Sequence, residues 1–319
     1  MLKHFLYNDE VNLHQLSRLR YGVCTVCGKH LKKACKVFSG KLNDGSYAIA
    51  CEDCKDKVEK ILKEYVFFNQ ETELPSLDAK LWRYQDFAKF VSLLDSKGLF
   101  FTRADSFEDP FECARGFNFQ KDAIYAEDET YLRLKVATQL KNGGNASPSE
   151  AEIETALAEE KESYLKKQEE KRKNFLVSCW HENQRESEGM WKLYTSALSQ
   201  GVAVQTTTER LCYALRNDSF EIGKVNYITY DKPLKDDQKP VWYKRDSFIH
   251  ESEIRAVVTD IGCTDIGKLI PVDIDTLIEN VYVSPTSAPW LVSLVKSVML
   301  KYGIDKPVRY SRLNDKPVF

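Results

Sequence analysis

Apolar positions change their spacing several times along this chain, and each change marks an element. Leu81-Trp82-Arg83-Tyr84 reads as a short strand. After it, Phe87, Phe90, Val91 and Leu94 recur at helical spacing, with Asp86 placed to cap the helix and Lys97-Gly98 to stop it. Leu99-Phe100-Phe101-Thr102 predicts a second strand, followed by the turn-rich run Ser106–Glu112. Helical spacing returns over Tyr131–Leu140. Ser147 with Glu150 then makes a capping box for a long helix from about Pro148 to Lys173. That helix is so polar that it reads as a charged insertion over 148–174, projecting from the core with a thin apolar stripe. Strands dominate afterwards, over Phe175–Trp180, Gly201–Thr206, Val225–Tyr230, His250–Val258 and Val281–Val283. A short helix over Met190–Tyr194 interrupts them, and a last helix carries Leu291, Leu294, Val295, Val298 and Tyr302. Without βαβ alternation, the expectation over 79–319 is an α+β domain with a mixed, mainly antiparallel sheet and flanking helices.

The first part of the chain, 1–73, follows a different logic. Cys24-x2-Cys27 and Cys51-x2-Cys54 each offer two thiolates from a tight turn, and two such turns can close a tetrahedral site around zinc. With four cysteine ligands no position stays open for substrate, so the zinc would be structural. Cys35 and His30 lie between the pairs and are alternative ligands. Val58, Ile61, Leu62 and Tyr65 predict a helix after the second pair, and Asn69–Asp78 a polar connector. Between Arg20 and Lys41 there are six Lys/Arg and no Asp or Glu. That patch is either a solvated basic face or a grip on nucleic-acid phosphate.

Composition narrows the class. The 319 residues, 43% hydrophobic and 12% aromatic, exclude a disordered or fibrous chain. A net charge of −2 excludes a globally basic nucleic-acid coat. No apolar stretch is long enough for a membrane span, and MLKHFLYNDE has no room for a signal-peptide core. Nine cysteines, an odd number with four in two tight pairs, point to a reducing, cytoplasmic setting.

The familiar nucleotide and hydrolase signatures GxGxxG, GxxxxGK[ST], HExxH and GxSxG are missing. Cys179-Trp180-His181 brings a thiol near an imidazole, but strand alternation is read as turning them apart, against a Cys–His nucleophile. The informative stretch is Phe248–Val258. As a strand it puts Glu251, Glu253 and Arg255 on one face, either as a solvated ion-pair surface or as a site. Trp180, Trp191, Tyr194 and Trp242 sit in turn-flanked segments, a composition that suits a cleft as well as a core.

Several of these motifs together resemble a known family. In order they are Leu81–Tyr84, Phe107–Glu112, Ser178–Trp180, Met190–Tyr194 with Gly201–Val204, and Glu251-x-Glu253-x-Arg255. The set is similar to the bacterial family catalogued as domain of unknown function 2971, over residues from about 81 to the C-terminus. Glu108 departs from the Asn usual there before Asp-Pro-Phe. A second resemblance is to ADP-ribosyltransferase-like enzymes, which hold NAD with an early-strand Arg or His and use a late-strand Glu-x-Glu. Arg83 and Glu251-x-Glu253 have that order, while Thr206-Thr207-Thr208 departs from the middle Ser-Thr-Ser motif.

The resemblance implies Glu251, Glu253 and Arg83 as catalytic residues, with Arg83 holding the anionic ligand and Glu253 acting on the reacting centre, and NAD as the donor. Tyr84, Asp109, Glu112, Trp180, Trp191, Tyr194 and Arg255 are the candidate ligand-binding set. Two other readings stand beside it. Asp109, Glu112, Glu251 and Glu253 could hold Mg²⁺ in a metal-dependent nuclease, although no lysine adjoins them in sequence. A non-catalytic sensor of a nucleotide or protein, in a bacterial defence or stress system, is the other.

Overall fold

In the computed structural model, the residues described are 3–6, 24, 27, 29, 36–41, 47–54, 72–73, 75–116, 129–144, 147–195, 200–215, 220–229, 231, 234–235, 238–315 and 317–319. The expected helix over Val58–Tyr65, most of the Arg20–Lys41 patch, His30 and Cys35 lie outside them. Three antiparallel strands form the N-terminal sheet: β1 (Lys3–Leu6), β2 (Lys36–Lys41) and β3 (Tyr47–Cys51).

The larger sheet has nine strands among the described residues. It begins with β4 (Lys80–Asp86), α1 (Phe87–Ser96) and β5 (Gly98–Arg103). Asp86 caps α1 by accepting from the Lys89 N–H at 2.7 Å, as the sequence indicates. The left-handed residue that ends α1 is Lys97 (φ 49°), while Gly98 starts β5 because a Cβ there would lie 2.6 Å from Leu269. Helices α2 (Glu129–Asn142) and α3 (Glu150–Arg172) pack together through Lys135–Glu160 at 2.6 Å and Arg133–Glu150 at 2.7 Å. The capping box of α3 is Ser149 with Glu152, one step beyond the Ser147–Glu150 pair expected. Both pairs have the S-x-x-E spacing, and α3 buries only Leu157.

Then come β6 (Phe175–Glu182), α4 (Glu188–Thr195), β7 (Gly201–Thr207) and α5 (Thr208–Ala214). After these, β8 (Glu221–Lys224) and β9 (Asn226–Ile228) replace the single strand expected over Val225–Tyr230. β8 joins the large sheet beside β11 (Glu253–Thr259), while β9 pairs in parallel with β10 (Tyr243–Arg245) in a separate ribbon. β12 (Gly267–Pro271), β13 (Asn280–Val283), α6 (Trp290–Lys301) and β14 (Val308–Tyr310) complete the fold. The order is β12-β5-β6-β4-β7-β13-β14, with β11 and β8 added beside β6, and every pairing except β13–β14 is antiparallel. This is the α+β architecture expected from the pattern.

Both faces of the sheet are covered. Leu81, Leu176, Trp180, Val202, Val204, Ile254 and Ala256 pack in one core with Phe90 and Leu94 of α1. On the other face Val177 and Val257 meet Ala104, Cys113, Val241 and Trp242, and Trp82, Tyr84 and Ala203 meet Met190 and Trp191 of α4. Burying a side chain such as Phe90 contributes on the order of 2–3 kcal/mol. The connector is part of this body. Leu77 is 1% exposed, and the main-chain carbonyls of Glu73 and Leu77 accept from Lys224 and Glu209, so it docks rather than hangs free.

Candidate active site

Strand β6 changes partner along its length. Near its end it pairs with β4 (Trp82↔His181), and near its start with β5 (Thr102↔Val177). Ser178–Trp180 therefore have neither neighbour on that side, and the sheet is split there. Arg83 fills the split. Its Nη1 donates to Ser178 Oγ at 2.6 Å and its Nη2 to the Phe100 carbonyl at 3.3 Å, with the guanidinium 5.8 Å from the Trp180 ring centre. Burial pushes Arg83 down, and its electrostatic neighbours are Cys179 and Tyr194 rather than a carboxylate. A half-buried guanidinium with no anionic partner among the described residues suits an anionic ligand.

On the opposite side of β6, β11 runs antiparallel with Glu253 across from His181 and Arg255 across from Cys179. Arg255 is fully buried. Its Nε donates to Glu253 at 2.8 Å, its Nη1 to the Val241 carbonyl at 2.6 Å, and its Nη2 to both Glu112 and Glu253. Glu112 reaches it because Asp109 Oδ1 accepts from the Phe111 N–H and shapes the turn, while Arg245 donates to the same oxygen at 2.9 Å. Lys244, from β10, completes the cluster. Its Nζ lies 2.6 Å from Glu251, 3.3 Å from Glu253 and 3.4 Å from Glu112. No motif or spacing marked this residue, because it enters from a strand of another sheet.

The two glutamates differ in kind. Burial alone would raise Glu253, but Arg255 and then Lys244 outweigh it and hold the carboxyl down at about 2. Glu251 is raised: burial dominates, Lys244 offsets only part of it, and Glu253 and Glu112 push the same way. Lys244 is raised as well: burial alone would lower it, but the negative charges of Glu253, Glu112 and Glu251 around its ammonium outweigh that. Tyr194, half exposed on α4, links the two sides, since burial of its hydroxyl and the nearby Glu251, Cys179 and Glu253 push it up. Arg83 feels the same Tyr194 and Cys179.

The remaining expected residues fall elsewhere. Trp180 is buried beneath Arg83, and Trp242 packs at the base of the acidic cluster. Trp191 is 2% exposed, donates to Glu186 at 3.1 Å and meets Tyr84 edge-on at 4.9 Å between ring centres; neither ring joins the carboxylates. The Glu-x-Glu segment is not one strand. His250 and Glu251 belong to a 3-10 turn (Asp246–Glu251), and Ser252 is left-handed (φ 40°), so only Glu253 and Arg255 share a strand face. That face is buried, which removes the solvated ion-pair surface. Cys179 and His181 are two residues apart and so share a face, contrary to the expectation that alternation would part them. The thiol still makes no nucleophile, since burial and Glu253 raise Cys179 well above its ordinary value. Thr207 caps α5, while the Thr206 and Thr208 hydroxyls are buried without partners.

No family model matches the chain, and no curated protein does. Among solved structures the chain is similar to Thermus sp. 2.9 DarT, in complexes with carba-NAD+ (TM-score 0.34, 7% identity) and with NAD+ (0.33, 7%). A third is the same protein with ADP-ribosylated single-stranded DNA (0.33, 9%). These alignments cover 75–78% of this chain and 97–98% of that one.

At the N-terminal sheet, Cys24, Cys27, Cys51 and Cys54 bring their sulfurs within 4.8 Å of one another, with no disulfide among them. Cys27 and Cys51 are 3.9 Å apart, near the separation expected of two thiolates about 2.3 Å from one tetrahedral ion. Among the described residues this is the one group of His, Cys, Asp or Glu gathered at metal spacing. No described helix is long and apolar enough to cross a membrane.

Proposed function

We propose that the chain is an ADP-ribosyltransferase-like enzyme that uses NAD as its donor, with Arg83 gripping the donor's phosphates and Glu251 acting at the ribose. The observation that carries this reading is Arg83, a half-buried guanidinium in a split of the sheet whose electrostatic neighbours are Cys179 and Tyr194, with Tyr194 in turn near Glu251. Loss of nicotinamide builds an oxocarbenium-like centre, and a carboxylate on the ribose 2′-hydroxyl stabilises it. Glu251 suits that role better than Glu253. It is less deeply buried and bonded to one ammonium, whereas Glu253 is bonded by both Arg255 and Lys244. Glu253 and Glu112 then serve as the buried frame that fixes Lys244, and Asp109 fixes the turn that delivers Glu112.

The nuclease reading has less support, because these carboxylates are bonded to Arg255, Lys244 and Arg245 and stand outside metal spacing. A sensor that binds a nucleotide without turnover would share Arg83 but not need Glu251. The four cysteines hold a structural zinc in this account, and the basic N-terminal module offers a surface for nucleic acid. The test is nicotinamide release from NAD by wild type and Glu251→Gln. Release by the wild type and loss of about a hundredfold in the variant supports the transferase. NAD binding without release in either protein returns the sensor.

A further inference from the structure

Opposite Glu253, His181 is 5% exposed. Its Nδ1 lies 2.6 Å from the main-chain carbonyl of Glu251. A carbonyl only accepts, so Nδ1 carries the proton and Nε2 the lone pair. Nε2 is buried with no hydrogen-bond partner among the described residues. The carbonyl that His181 holds precedes Ser252, a non-glycine residue at φ 40° and ψ 54°, a left-handed conformation that L side chains disfavour. Strand β6 clamps this turn twice, through the His181 ring and through the Glu182 N–H, which donates to the Ser252 carbonyl at 2.9 Å. The turn decides where the Glu251 side chain points, and it points at Lys244.

We infer that His181 is the positioning residue of Glu251: its neutral imidazole holds the left-handed turn that aims the carboxylate into the cleft. The inference rests on the proposed role of Glu251 at the donor ribose. The groups facing the imidazole are Tyr84 from β4, Glu253 from β11, and Glu251 and His250 from the 3-10 turn, with Glu182 beside it on β6. Burial holds His181 below its ordinary value; the hydrogen bond to the Glu251 carbonyl and then the Glu182 charge oppose it only in part, while His250 pushes the same way as burial. Protonation would add a buried N–H with no acceptor, so the turn is secure in the neutral form and loosens as pH falls through the lowered value.

The test compares His181→Phe and His181→Asn with wild type, by nicotinamide release across pH and by thermal melts. Asn can place an amide N–H near the position of Nδ1. His181→Phe should lower kcat by about tenfold or more with KM within about twofold, and His181→Asn should recover to within about threefold of wild type. The acid limb of kcat should flatten from two protons to one in His181→Asn, because Glu251 remains and the imidazole is gone. Unchanged kcat in His181→Phe, or no recovery in His181→Asn, overturns the inference. Where His181→Phe does not fold, the acid limb of His181→Asn decides alone, and a two-proton limb overturns it. A wild type without any release sinks the transferase reading instead. The His181–Glu251 link is then read by NMR titration of ¹³C-labelled glutamate: a Glu251 carboxyl that shifts in Phe and returns in Asn supports it, and one unmoved in both refutes it.

Discussion

Arg255→Met tests how the acidic cluster is held. The guanidinium is fully buried and bonds Glu253 through two nitrogens, Glu112 through one and the Val241 carbonyl through another. Methionine has similar length and leaves both carboxylates in place, with Lys244 at 3.3 and 3.4 Å as their remaining cation. Removing one partner of a buried ion pair typically costs about 3–5 kcal/mol, because the stranded charge keeps its desolvation penalty. Lys244 makes the lower half of that range the expectation, and the melting temperature should fall on the order of 10 °C. Glu253 is held low in the folded state, so its ionised form adds stability above its unfolded value of about 4.3. That contribution is lost as pH falls toward about 2, so the gap between variant and wild type should narrow in acid. Adding Glu112→Gln and Glu253→Gln to Arg255→Met should recover much of the loss by removing the stranded charges. Urea unfolding with circular dichroism measures each. A cost under about 1 kcal/mol at neutral pH, the size of a surface pair, or a gap constant with pH, would refute the reasoning.

Three further outcomes follow from the same geometry. Arg83→Ala should weaken NAD binding by about tenfold or more in calorimetry without lowering the melt beyond a few degrees, since it removes a charge-assisted contact to the anion. Glu251→Gln should melt no lower than wild type at neutral pH: its folded value is raised, so its charge costs stability once pH rises above the carboxylate range. Protein purified without chelator should carry one equivalent of zinc, and Cys27→Ser should lose it. Elemental analysis well below one equivalent in the wild type would count against the site.

Much of the fold is written in local pattern. The cap at Asp86, the period of α1 and the apolar runs of β6 and β7 are set by neighbours in sequence, and so they are legible. The site is less so. Glu253 and Arg255 alternate with apolar residues as an exposed strand would, yet Trp242, Cys113 and the Asp109–Glu112 turn cover that face. Coverage by distant segments leaves no mark on period 2. Lys244 and Tyr227, whose hydroxyl accepts from the Glu253 N–H at 2.9 Å, arrive from the β9–β10 ribbon and are visible only in three dimensions. The left-handed Ser252, with no glycine to announce it, hid the break between Glu251 and β11. Asp109 and Glu112, by contrast, stood out through the Asp-Pro-Phe-Glu turn; the structure brings Glu112 into the cluster and pairs Asp109 with Arg245 instead.

Arg83 and Glu251 are proposed to line one cleft that receives NAD. A crystal structure with a non-hydrolysable NAD analogue tests it most directly. The pyrophosphate should lie within hydrogen-bond distance of the Arg83 guanidinium, in the split beside Ser178, and the ribose 2′-hydroxyl on the Glu251 carboxylate. An analogue seated away from Arg83, or a pocket that leaves Glu251 on the far side of β6 from the ligand, would contradict it.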